Sequence, residues 1–270
     1  MRLGPDARRY LLAATGVRVS RPFNVRWLLP VLCRTDARRW WAVYLASWPV
    51  AAAGMIAWRL AAGDSLAVAA AAMALLVGLP GVLGPSVVIP VGVDLPATAV
   101  TLCAVAGFAA DVPVVPWLLL LAAACIRETA PVWAALWLWS PWPLLVLVAP
   151  GVAHLVRRPG PDPLGPQFQQ IADHPIRSAL EFHRGRWRDA WLMVAPWGVT
   201  LAALYDPSPW VIVTLAAAHL QLLVATDTVR LVQHAAGPVM AAAAAQVIPG
   251  PWLILAIVAH VWWWRTPERI

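Results

Sequence analysis

The residues of this 270-residue chain that can do chemistry are few, and most lie inside or beside long apolar runs: Asp94, Arg127, Glu128, Asp227, Arg230 and His234. Charged groups at membrane depth are costly and are functional candidates by default. Asp94 and Glu128 can each take a proton from a hydroxyl, and together they can share a divalent cation. Each also has a plainer reading. Asp94, in Val93-Asp94-Leu95-Pro96, has the place of a helix N-cap. Glu128 has that of a helix-terminus charge paired with adjacent Arg127. Asp227, Arg230 and His234 fall at i, i+3 and i+7 and so share one helix face. There Arg230 can grip a phosphate, oriented by Asp227 with His234 beside it. An interfacial Asp–Arg pair is the plainer alternative. His219, Gln221 and Gln246 stand behind this group. Trp133, Trp137 and Trp139 can line a sugar or lipid site, although such spacing usually means packing. No Walker, GxSxG, HExxH or GxGxxG pattern occurs, so ATP-driven transport and those catalytic templates lack support.

The elements that must hold these groups follow from composition. The chain is 61% hydrophobic and 12% charged, with mean hydropathy +0.70. A soluble domain is about 45–50% apolar and about 25% charged. A soluble enzyme, a disordered chain and a coiled coil are excluded, and the unbroken apolar runs exclude an outer-membrane barrel. The expected fold is all-α, a polytopic transmembrane helical bundle of about eight hydrophobic segments, some short or broken. They fall near 40–62, 65–83, 94–110, 113–126, 130–156, 190–205, 209–226 and 236–264. The fourth is too short to span without tilt or thinning. Ser140-Pro141-Trp142-Pro143 should kink the fifth, and Ile248-Pro249-Gly250-Pro251 the eighth. The division is an Arg-rich interfacial segment (1–39), a first bundle (40–156), a polar Pro-rich loop with an interfacial helix (157–189) and a C-terminal bundle (190–270). In 1–39, one or two short helices are expected to lie apolar face down with arginines outward.

All 20 basic residues are arginine, and nine of them precede Trp40 against Asp6 and Asp36. Flanking membrane spans, they read as topology signals and lipid-headgroup contacts rather than as a nucleic-acid surface. The positive-inside rule places 1–39 and 157–189 both in the cytoplasm, so either one of the five segments between them is re-entrant or one Arg-rich stretch sits outside. Cys33, Cys103 and Cys125 form neither a disulfide framework nor a metal motif. The expected location is the cell membrane, multi-pass, with membrane lipids as partners and no nucleic acid.

Four stretches, in order, resemble bacterial multi-pass GT-C-type glycosyltransferases. Arg21-Pro22-Phe23-Asn24-Val25-Arg26-Trp27-Leu28-Leu29-Pro30 is similar to the motif ahead of a transmembrane helix in that group. Pro90-Val91-Gly92-Val93-Asp94-Leu95-Pro96-Ala97 resembles its proline-then-aspartate helix start. Arg127-Glu128-Thr129-Ala130 resembles its Arg-Glu-Thr junction, and Thr226-Asp227-Thr228-Val229-Arg230 with Gly237-Pro238 its late polar turn. The resemblance implies transfer of a sugar from a polyprenyl-phosphate carrier: a carboxylate deprotonates the acceptor, and arginine stabilises the leaving phosphate. It adds Arg26 to the substrate-binding set of Arg127, Asp227, Arg230 and His234, with Asp94 and Glu128 as the catalytic pair. The family has a further span ahead of this region, with a catalytic aspartate after it. Here an Arg-rich stretch stands in that place, and Asp36 does not match the motif. Two other functions compete: a non-catalytic scaffold or envelope-assembly protein, and a small-solute or lipid transporter with discontinuous helices.

Overall fold

A computed structural model describes residues 5–82, 92–184, 194–223 and 228–263. The described residues are helical, with no strand among them. In chain order they form α1 (Pro5–Ala14), α2 (Leu28–Cys33), α3 (Ala37–Ala61), α4 (Leu66–Val77), α5 (Asp94–Ala109), α6 (Val115–Ile126) and α7 (Ala130–Leu138). A 3₁₀ segment, Trp142–Leu147, leads into α8 (Val148–Val156). Then come α9 (Pro166–Asp173), α10 (Pro175–Arg184), a 3₁₀ segment Ala195–Leu204, α11 (Pro209–Leu220), α12 (Thr228–Val247) and α13 (Gly250–Trp263).

Local chemistry sets most boundaries. Asp36, Ser65 and Ser208 accept backbone N–H bonds at the starts of α3, α4 and α11. Gly63, at φ +91°, makes the α3–α4 turn. The kink expected at Pro141–Pro143 is present as the switch into 3₁₀ geometry, and Pro249 separates α12 from α13. Two expected ends moved. The second segment stops at Val77, with Gly78 as its cap. The last begins at Thr228 and runs through Pro238. Residues 83–91 and 264–270 lie outside the described residues.

The core joins α3, α4, α5 and α12. Helix α3 packs along α5 so closely that a Cβ on Gly54 would lie 2.9 Å from the Cys103 nitrogen and from Leu102 Cβ. Helix α12 is central because its middle is small: Ala235, Ala236 and Ala241–Ala245 are all buried. Trp137 stacks on Trp58 and donates its indole N–H to the Ala235 carbonyl at 2.7 Å. Trp133 is buried as well. Trp133 and Trp137 therefore pack in the core, whereas Trp139 is exposed.

One described helix, α3, is long and apolar enough to cross a membrane, and only 33% of its most apolar window is buried within the chain. Seven shorter apolar helices of 10–17 residues accompany it. The N-terminal segment departs from expectation. Arg9 points inward and is buried with Tyr10, because its guanidinium has both a carboxylate and two aromatic faces there.

Candidate functional site

Helices α5 and α6 pack as an antiparallel pair, so the first residue of α5 and the residues after α6 meet at one end. Asp94 is that first residue. It does not cap the helix: Val93 holds the N-cap position, with no side-chain bond. The Asp94 carboxylate turns instead to Arg127, which hydrogen-bonds Oδ1, and to Arg230, whose Nε lies 3.2 Å from Oδ2. Buried Arg127 and half-buried Arg230 draw it away from the backbone N–H groups, since charged partners bind a carboxylate more strongly.

Glu128 is likewise not paired with its neighbour Arg127. The Arg26 guanidinium takes it side-on, Nε to Oε2 and Nη2 to Oε1, each at 2.7 Å. Adjacent residues in the α6–α7 connection point to different partners, and Arg127 donates back to Thr129 Oγ1. Arg26 also donates to the Tyr10 hydroxyl at 3.1 Å. Burial pushes the Tyr10 phenol up to about 12, so it keeps its proton at neutral pH.

Arg230 lies in the first turn of α12 and also reaches Asp6 Oδ2 at 3.3 Å. Asp227 lies outside the described residues. His234, one turn beyond Arg230, is buried. Its Nδ1 is 2.9 Å from Thr98 Oγ1, and it also hydrogen-bonds the Gly81 backbone. The neighbouring Gln233 Oε1 accepts the Gly81 N–H at 2.5 Å, which leaves the Gly81 carbonyl for the imidazole N–H. His234 thus ties α12 to Thr98 on α5 and to the Gly81 backbone. His219 bonds the Leu215 carbonyl within its own helix.

The structure therefore gathers Arg26, Asp94, Arg127, Glu128, Arg230 and His234 at one end of the bundle. It also adds residues the sequence did not single out. Asp6 links Arg230 to Arg9, and Arg9 Nε meets Asp162 Oδ2 at 3.0 Å. Ser20 donates to the same Asp162 oxygen at 2.6 Å. The result is an alternating chain, Asp162–Arg9–Asp6–Arg230–Asp94–Arg127, beside the Tyr10–Arg26–Glu128 set. Within the alternating chain the partners are 33 to 224 residues apart except for Asp6–Arg9, so local spacing gave no signal of them. Among the described residues no three His, Cys, Asp or Glu side chains converge to hold a metal ion. Asp94 and Glu128 each turn to arginine rather than to one another. Compared with family models, with curated proteins and with solved structures, the chain shows no match to any.

Proposed function

We propose that the chain is a multi-pass membrane protein that binds a polyprenyl-phosphate sugar and transfers the sugar, in the manner of GT-C-type enzymes. What supports this reading is the convergence of three arginines, Arg26, Arg127 and Arg230, with Asp94 and Glu128 at one end of an apolar bundle. In this reading α3 crosses the bilayer, the shorter apolar helices complete the bundle, and membrane lipids surround it.

At rest each guanidinium is held by a carboxylate. An arriving phosphate competes for Arg127 and Arg230, because its oxygens match the same planar fork. That exchange frees Asp94. The freed carboxylate, or Glu128, takes the proton of the acceptor hydroxyl as its oxygen bonds to the anomeric carbon. The bond from that carbon to the phosphate oxygen breaks, and the lipid phosphate leaves with the electron pair, stabilised by arginine.

The test uses the full chain in lipid nanodiscs with a radiolabelled polyprenyl-phosphate hexose, reading both donor binding and release of the sugar to acceptor. Glu128→Gln and Asp94→Asn are expected to cut turnover by about 10²–10⁴ while the donor still binds. Absence of donor binding to the unmodified protein overturns the reading. A scaffold is the second reading, favoured because every acid in the cluster already has an arginine. Under it, the same variants lower the melting temperature and nothing else changes.

A further inference from the structure

We infer that Arg9 and Arg230 form a seat for the phosphate group of a ligand, and that the Asp6 carboxylate fills this seat in the resting chain. The geometry is nearly symmetric. Asp6 Oδ1 lies 3.2 Å from Arg9 Nη1, and Asp6 Oδ2 lies 3.3 Å from Arg230 Nη2. One carboxylate bridges two guanidiniums with its two oxygens, as two oxygens of a phosphate would.

Each arginine also meets a second carboxylate through Nε, Arg9 by a hydrogen bond and Arg230 by an ion pair. Arg9 Nε is 3.0 Å from Asp162, and Arg230 Nε is 3.2 Å from Asp94. The two rear carboxylates are covered, with side-chain exposures of 1% and 11%, whereas the Asp6 side chain is 39% exposed. Phe23 and Phe168 add ring faces 4.8 and 4.7 Å from the Arg9 guanidinium. The seat therefore keeps its shape when Asp6 leaves: the front ligand is the exposed and replaceable one, and the covered rear carboxylates hold the two arginines while the phosphate enters. Tyr10 stays docked through Arg26 and its ring contacts with Phe23 and Trp40, so Asp6 can swing out without undocking α1. An internal carboxylate that occupies a site lowers apparent affinity by the fraction of time it is bound.

The ligand class is a phosphate ester or free phosphate. The inference rests on the proposed transferase only for the sugar-carrier identity of that ligand. The test titrates the full chain, in neutral phosphatidylcholine nanodiscs, with short-chain phosphatidic acid and separately with inorganic phosphate. Asp6→Asn removes the competing charge at an exposed position, and roughly fivefold tighter binding is expected. Arg9→Gln is expected to weaken binding at least tenfold, with circular dichroism and melting run alongside. Tighter binding of phosphatidic acid alone identifies a lipid headgroup; tighter binding of both ligands identifies phosphate itself. Unchanged or weaker binding by Asp6→Asn for both ligands overturns the seat. If Asp6→Asn tightens binding and no sugar transfer is found, the seat stands and the transferase reading falls. If transfer occurs and Asp6→Asn leaves binding unchanged, the seat falls alone.

Discussion

Arg26 and Glu128, 102 residues apart, face each other as a planar fork on a carboxylate, with both bonds at 2.7 Å. This pair fastens the segment between α1 and α2 to the α6–α7 connection. Only arginine presents two parallel N–H groups in that geometry. Arg26→Gln leaves Glu128 covered and without its cation, so a loss of about 3 kcal/mol is expected. Arg26→Lys should recover only part of it, since an ammonium cannot also serve Tyr10 from the same position. Equilibrium unfolding in mild detergent measures both; equal stability of Lys and wild type would refute the fork.

Asp94 is shared by two arginines, so its removal leaves Arg127 without a carboxylate and Arg230 with Asp6 alone. Asp94→Asn is expected to cost about 3–5 kcal/mol. The double variant Asp94→Asn with Arg127→Gln should cost less than the sum of the single losses, with a coupling of about 1 kcal/mol or more. Strict additivity would show that the two groups do not depend on each other.

The α3–α5 contact makes a steric prediction. Gly54→Ala puts a methyl against backbone and Cβ atoms of α5 at 2.9 Å, and neither neighbour is a flexible chain end. A loss of about 1–3 kcal/mol is expected, and more for Val. Gly151→Ala meets nothing within 4 Å and is expected to be near neutral, which makes it the control in the same melting series.

Asp162 makes the prediction about pH. Burial by itself raises its carboxyl, but hydrogen bonds from Ser20, Arg9 and the Leu164 N–H hold it below the ordinary aspartate value. A folded value below the unfolded one stabilises the fold fully above the unfolded value. That contribution is lost as pH falls through the folded value. Melting temperature should therefore drop more steeply on acidification in the wild type than in Asp162→Asn. Parallel curves would show that Asp162 does not hold α1 down.

Punctuation made some elements legible and distance hid others. Helix α5 begins at Asp94 and ends at Ala109 against an expected 94–110, because Asp111 and Pro113 break the chain there. Pro238 misled in the opposite direction. The last segment is expected from about 236, beside Gly237-Pro238, yet α12 starts at Thr228 and runs through the pair. A buried helix tolerates proline when its neighbours settle the freed backbone groups. The candidate site was legible as a set of costly charges in apolar surroundings, and not as pairs. Arg127 stands next to Glu128 in sequence but binds Asp94, and Arg9 is drawn inward by an acid 153 residues away.

The alternating acid–arginine chain also sets an order of assembly. Asp94 and Arg127 leave the ribosome close together and can pair while synthesis continues. Arg230 arrives about a hundred residues later, and Asp6 and Arg9, which can pair with each other at once, complete their contacts only when Asp162 and Arg230 have been made. The first residues made are thus among the last to find their places. A chain stalled before residue 230 holds an N-terminal helix with Asp6 short of one of its two arginines.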